Sequence, residues 1–154
     1  MQIPFYDTRI TDDFNTILEK EKSVYCGVKI LDSPKLIAEM LNEVVSLNVL
    51  GEEHCYMLAL NTKSIVIGIF LISKGTVNQC VIGTREIFIR ALLIGASQIV
   101  FCHNHPSTEC TPSKEDILFT KKLSEVGKLL GIQVSDHIIV GGNNFYSFYE
   151  HELL

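Results

Sequence analysis

Gln98-Ile-Val-Phe-Cys-His-Asn-His-Pro-Ser-Thr-Glu-Cys-Thr-Pro-Ser-Lys-Glu-Asp116 is the stretch on which the reading of this chain turns. Its first five residues form a short apolar run, the pattern of a strand buried on both faces. Pro106 stops the strand, because its nitrogen has no hydrogen for the next ladder bond. A polar loop follows. The spacing of Ile117, Leu118, Leu123, Val126, Leu129 and Leu130 then predicts a helix over 112–130, ended by Gly131. Strand, loop and amphipathic helix in this order are the unit of an α/β domain.

The flanking segments extend that unit in both directions. Upstream, Thr84 as N-cap with Ile87, Phe88, Ala91 and Leu92 predicts a helix over 84–95, ended by Gly95. Two apolar runs, 53–60 and 65–73, surround Asn61-Thr-Lys-Ser64 and read as a hairpin, with a further strand expected at 77–82. Ser33 before Pro34 caps a helix predicted over 34–47. Downstream, 132–134 and 137–140 read as strands, 141–144 as a turn, and 145–149 as a last strand or edge. The whole reads as one α/β domain with a mixed central sheet flanked by helices. Residues 1–29 form a separate N-terminal segment: 1–20 receive no assigned structure, and 23–30 have the composition of a strand.

With 154 residues, 47% hydrophobic and 20% charged, the chain is long enough to bury a core without disulfides. Stability alone therefore does not call for a metal. The net charge of -5 disfavours non-specific nucleic-acid binding. Five scattered cysteines include no C-x-x-C pair, which excludes a zinc ribbon or a thioredoxin-type motif and fits a reducing cytoplasm. No signal-peptide pattern opens the chain, and no apolar run is long enough to span a membrane.

His103 and His105, two apart on an extended strand end, project to one face and can converge on one ion. Asp116, in the first turn of the next helix, can offer a third ligand across the loop. Two imidazoles and a carboxylate suit zinc, and three protein ligands leave a fourth position for water. A nearby carboxylate can take that water's proton as it attacks a carbonyl. Glu53 is a candidate, although it and Glu52 also read as solvated charges at a strand start. Ser113 shares a helix face with Asp116, and its hydroxyl can donate to the oxyanion of a tetrahedral intermediate. Ser113 and Asp116 can equally form a capping box, while Thr111 before Pro112 is another good cap. Cys110 places a soft sulfur beside the site. His54 and His137 read as surface or partly buried histidines, Asp136 as a turn residue and Cys102 as core.

His-x-His, seven residues beginning with proline, then Ser-x-x-Asp resembles the JAMM (MPN+) metalloprotease motif, carried here by His103, His105, Ser113 and Asp116. The nearer resemblance is to the RadC-like branch and covers about 30–154. It includes Asn61-Thr-Lys63, Lys74-Gly-Thr-Val-Asn78, Arg85-Glu-Ile-Phe88, Thr111-Pro-Ser-Lys-Glu-Asp116 and Asp136-His-Ile-Ile139. The resemblance implies a JAB/MPN fold with cytidine-deaminase-like layering and a zinc site on His103, His105 and Asp116. It also implies Glu53 as acid/base, Ser113 in support, and a peptide or protein substrate cleaved at an amide or isopeptide bond. Two departures stand out. The loop that usually reads Ser-Gly-Asp-Pro is Ser107-Thr-Glu-Cys110, and losing the glycine stiffens it. The N-terminal helix-hairpin-helix region of full-length members exceeds what 154 residues accommodate, so a DNA-contacting role is not carried over. The competing class is a non-catalytic interaction module in a DNA-maintenance or mobile-element setting.

Overall fold

The computed structural model describes residues 1–27, 31–75 and 83–154. Among them the chain order is β1 (Gln2–Ile10), β2 (Thr16–Tyr25), α1 (Pro34–Val45), β3 (His54–Leu60) and β4 (Val66–Lys74). It continues with α2 (Thr84–Ile94), β5 (Gln98–Asn104), α3 (Lys114–Leu130), β6 (Gln133–Gly141) and β7 (Asn144–Ser147). The strands form one mixed sheet in the order β2-β1-β4-β3-β5-β6-β7. β1 runs parallel to β4 and β5 parallel to β6, and the other neighbours are antiparallel. The predicted α/β class with a mixed sheet between helices is what the chain adopts.

Period-two alternation sorts the core into two layers. From β3, Tyr56, Leu58 and Leu60 pack with Ile37, Met40 and Leu41 of α1. Cys55, Met57 and Ala59 pack instead with Ile87, Phe88 and Ala91 of α2 and Leu123 of α3. Thus α1 covers one face, and α2 with α3 covers the other. β5 obeys the same parity: Val100 and Cys102 join the α1 layer, while Ile99 and Phe101 join the α2–α3 layer. His103 continues the second set and so meets α3.

An irregularity in β6 redirects a buried side chain. Val134 of β6 pairs with Ile99 and Asp136 with Val100, which leaves Ser135 as an unpaired extra residue. A bulge of this kind exchanges the two faces of a strand. Val134 accordingly packs in the α2–α3 layer, whereas Ile138 and Val140 pack with α1. The bulge turns His137 toward His103. It also joins into one strand the two pieces expected at 132–134 and 137–140.

Several expectations need correction. Residues 1–20 are not structureless. β1 and β2 form a hairpin, docked on the sheet through the parallel pairing of Phe5 with Ile69. Only Ile3 and Phe5 of β1 are buried, and β2 is an edge strand of charges such as Glu19, which pairs with Arg9 at 2.8 Å. An exposed, charged edge carries little periodic signal. Thr84 is not the cap of α2 but its first helical residue. The cap is Gly83, over which the Glu86 carboxylate folds back so closely that a Cβ would lie 2.0 Å from it. The strand expected at 77–82 lies outside the described residues. α1 is capped by Ser33 as predicted and ends at a left-handed Ser46, followed by a short 3-10 turn over 47–49. No described helix is long and apolar enough to cross a membrane.

Gly141 ends β6 beneath the loop that follows β5. A Cβ there would sit 2.5 Å from the Thr108 carbonyl oxygen and 2.8 Å from Cys110 Sγ. Backbone cannot swing aside as a side-chain tip can, so Gly141→Ala should lower unfolding stability by about 1–3 kcal/mol. Urea denaturation measures this, and an unchanged midpoint would contradict the packing.

Candidate metal centre

The end of β5 delivers both histidines. His103 is 2% exposed, and the His105 backbone N–H extends the pairing with β6 by donating to the Val140 carbonyl at 2.8 Å. His105 Nδ1 lies 2.7 Å from the Glu109 carbonyl oxygen. A carbonyl only accepts, so Nδ1 carries the hydrogen. The opposite nitrogen, Nε2, lies 3.0 Å from His103 Nε2.

Asp116 arrives from the first turn of α3, whose N-cap is Ser113 in a complete capping box. The Asp116 backbone N–H donates to Ser113 Oγ at 3.1 Å. In return Asp116 Oδ2 accepts from the Ser113 backbone N–H at 2.7 Å and from its hydroxyl at 2.6 Å. Thr111 is therefore not the cap, and its hydroxyl donates instead to Glu109. Capping does not withdraw the carboxylate from the histidines. Asp116 Oδ1 is 3.3 Å from His103 Nε2, and Oδ2 is 3.6 Å from His105 Nε2. The three ligand atoms lie within 4.8 Å of one another, a set able to hold a metal ion.

Electrostatics follow from burial and proximity. Burial lowers the His103 pKa to about 4, with the Asp116 charge opposing and His105 adding to the drop. The Asp116 carboxylate beside it raises His105, against a smaller cost of burial. Burial pushes the Asp116 carboxyl up, but His105, His103 and Ser113 together hold it well below the usual carboxylate range. Positive charge is thus accepted at the meeting point of the three groups, and only one of the two rings takes it readily.

The RadC-like JAB domain family matches residues 31–153. The chain belongs to this family. It is similar to a UPF0758 protein of Clostridium beijerinckii, 43% identical over 133 residues, 86% of this chain and 57% of that protein. Another UPF0758 protein, from Clostridium botulinum, is 45% identical over 129 residues, 84% of the chain and 55% of the relative. A third, from Finegoldia magna, is 48% identical over 118 residues, 76% of the chain and 52% of the relative. The chain spans about half the length of the curated relatives it matches.

Two further parts of the RadC-like domain were not visible in the sequence. Asn104, between the two histidines, faces the opposite way and straps down the segment before β3. Its Nδ2 donates to the Leu50 and Glu52 carbonyls, each at 3.1 Å, and its Oδ1 accepts from the His54 N–H at 2.8 Å. That strap decides between the two glutamates. Glu52 pairs at the surface with Lys74 at 3.1 Å. Glu53 lines a cleft of about 100 Å³ with His103, Glu115, Asp116, Phe101 and Phe119. Burial raises the Glu53 pKa, and the Asp116 charge raises it further.

His137 is the second. Read as a surface or partly buried histidine, it is fully buried, with Nε2 at 2.9 Å from His103 Nδ1 and Nδ1 at 2.6 Å from Thr120 Oγ1. The signal available was a polar residue leading an apolar strand run, which marks an internal hydrogen-bonding duty. Asp136, read as a turn residue, is a buried strand residue that accepts from the Ser147 hydroxyl and from the His137 and Tyr149 backbone N–H groups. Cys110 is buried with its thiol directed at the Gly141 carbonyl at 3.7 Å, and it is not a member of the ligand set. Two larger clefts, of about 490 and 360 Å³, lie elsewhere and lack convergent imidazoles.

Because Ser113 caps α3 and Thr111 does not, Ser113→Ala should cost about 1 kcal/mol of stability. Thr111→Ala should stay within about 0.5 kcal/mol of the parent. Thermal or chemical denaturation of the two variants side by side reads the difference, and equal effects would reject the assignment.

Proposed function

We propose that this RadC-like domain is a zinc-dependent hydrolase of peptide or isopeptide bonds, with His103, His105 and Asp116 as the metal ligands. One observation carries the metal. His103 Nε2 lies 3.0 Å from His105 Nε2 and 3.3 Å from Asp116 Oδ1, and the other carboxylate oxygen, Oδ2, lies 3.6 Å from His105 Nε2. Tetrahedral zinc with nitrogen and oxygen ligands at about 2.0–2.1 Å requires donors roughly 3.3 Å apart. The donor chemistry agrees: two imidazoles and one ionised carboxylate suit zinc, and three protein ligands are the number found in catalytic sites. Bound there, the ion supplies Lewis acidity for activating a water and polarising a carbonyl.

The chain's own groups complete the chemistry. Glu53 takes the proton of the attacking water and returns it to the departing amine. Its raised pKa brings it toward the range where a carboxylate exchanges protons efficiently near neutrality. Ser113 acts as the positioning group for Asp116. Its hydroxyl hydrogen is engaged on that carboxylate, so donation to an oxyanion requires giving up this bond. The net charge of -5 supports a peptide rather than a polyanionic partner.

The size of the cleft, about 100 Å³ against roughly 300–1,000 Å³ for ordinary ligand pockets, also favours a second reading. In that reading the domain holds the ion and engages a partner without turnover.

Zinc content by atomic absorption should approach one ion per chain and collapse in His103→Ala. Glu53→Gln should keep the zinc yet reduce cleavage of a peptide or isopeptide library by about 100- to 10,000-fold. Retained zinc with no cleavage in the parent would favour the non-catalytic module. Turnover needs ionised Glu53, so it should fall with decreasing pH as that carboxylate is protonated, and burial of the group shifts this limb upward. A pH–rate profile of the parent beside Glu53→Gln checks this, and an acid limb unchanged in the variant would contradict the role.

A further inference from the structure

The proposed ligand His103 can bind a cation through Nε2 only if that nitrogen lacks a hydrogen, and the protein interior settles where the hydrogen goes. Thr120 Oγ1 lies 2.6 Å from the Asp116 backbone carbonyl and 2.6 Å from His137 Nδ1. A hydroxyl has one hydrogen, and a carbonyl can only accept. The Thr120 hydrogen therefore points at the Asp116 carbonyl, and Oγ1 must accept from His137 Nδ1–H.

His137 is 0% exposed. Its ring stacks on Phe148 at 4.5 Å and 7°, and meets Phe101 edge-on at 4.9 Å and 67°. An apolar cage disfavours the charged ring. A neutral ring with its hydrogen on Nδ1 presents a lone pair at Nε2, and that nitrogen is 2.9 Å from His103 Nδ1. His103 accordingly donates from Nδ1, and its Nε2 lone pair is directed at His105 and Asp116.

We infer that Thr120 and His137 are positioning residues that fix the His103 tautomer, a hydrogen-bond relay running from the α3 backbone through two imidazoles to the ligand set. This rests on the proposed metal site. The relay starts at the carbonyl of Asp116, so one residue supplies both a ligand oxygen and the acceptor that orients the histidine ligand opposite it. It also requires the Ser135 bulge, without which His137 would face α1.

The intact chain labelled with nitrogen-15 histidine tests the inference. In the metal-free protein at mildly alkaline pH, long-range proton–nitrogen NMR should find His103 and His137 both protonated at Nδ1. Zinc affinity, read by competition with a chromogenic chelator, should fall about 10- to 100-fold in His137→Phe, the size of effect usual for removing a partner behind a metal ligand. His137→Gln, whose amide oxygen can still accept from His103, and Thr120→Ser should stay within a few-fold of the parent. Thr120→Val should weaken binding and mix the His103 tautomers. Finding His103 protonated at Nε2 in the metal-free parent would overturn the relay, as would parental zinc affinity in both His137→Phe and Thr120→Val. A parent that takes up no zinc overturns the metal site itself, and with it the purpose assigned to the relay.

Discussion

The His103 imidazole is enclosed at the end of a central strand, where water cannot complete its hydrogen bonds. A buried polar ring is tolerated only if both nitrogens find partners inside the protein. Nδ1 is answered by β6 through His137, and Nε2 is turned to His105 of the loop, with the Asp116 carboxylate of α3 beside it. A single buried ring thereby ties together a strand end, a helix start and a neighbouring strand. The remaining features of the centre can be understood as ways of bringing those three elements to it.

Each element does so by ordinary local means. The parity of β5 directs His103 at the α3 layer and Asn104 at the opposite one. One residue thus faces the candidate metal centre, while its neighbour holds the backbone that carries Glu53. The capping box of α3 satisfies helix-end N–H groups with a carboxylate whose oxygens also face two histidines. The bulge at Ser135 reverses the faces of β6 so that a histidine, rather than an isoleucine, lies behind His103. None of these devices is costly by itself. Their coincidence makes the centre.

Much of this was legible beforehand. Strong periodicity marked α1 and α3, because each buries one well-defined face, and continuous apolar runs marked the β3–β4 hairpin. The pair His103 and His105 with Asp116 was legible because strand and helix geometry constrain which neighbours can share a side. The β1–β2 hairpin was not, since its outer strand buries almost nothing and its charges resemble those of a loop. Thr84 misled because a good capping residue does not dictate where a helix begins when the glycine before it can take the turn. Thr111 also misled, two residues before the actual cap Ser113.

Residue order alone therefore established the α/β class, the family resemblance and a set of donors that local geometry turns to one side. Those are consequences of short-range stereochemistry, which a linear pattern records. It could not establish which glutamate enters the cleft, that Ser113 spends its hydroxyl on Asp116, or that His137 stands behind His103. Each of these depends on contacts between segments far apart in the chain: Asn104 with 50–54, and His137 with 103 and 120. A bulge that exchanges inward and outward faces leaves no periodic mark of its own. Only the packed sheet reveals which side such a residue finally occupies.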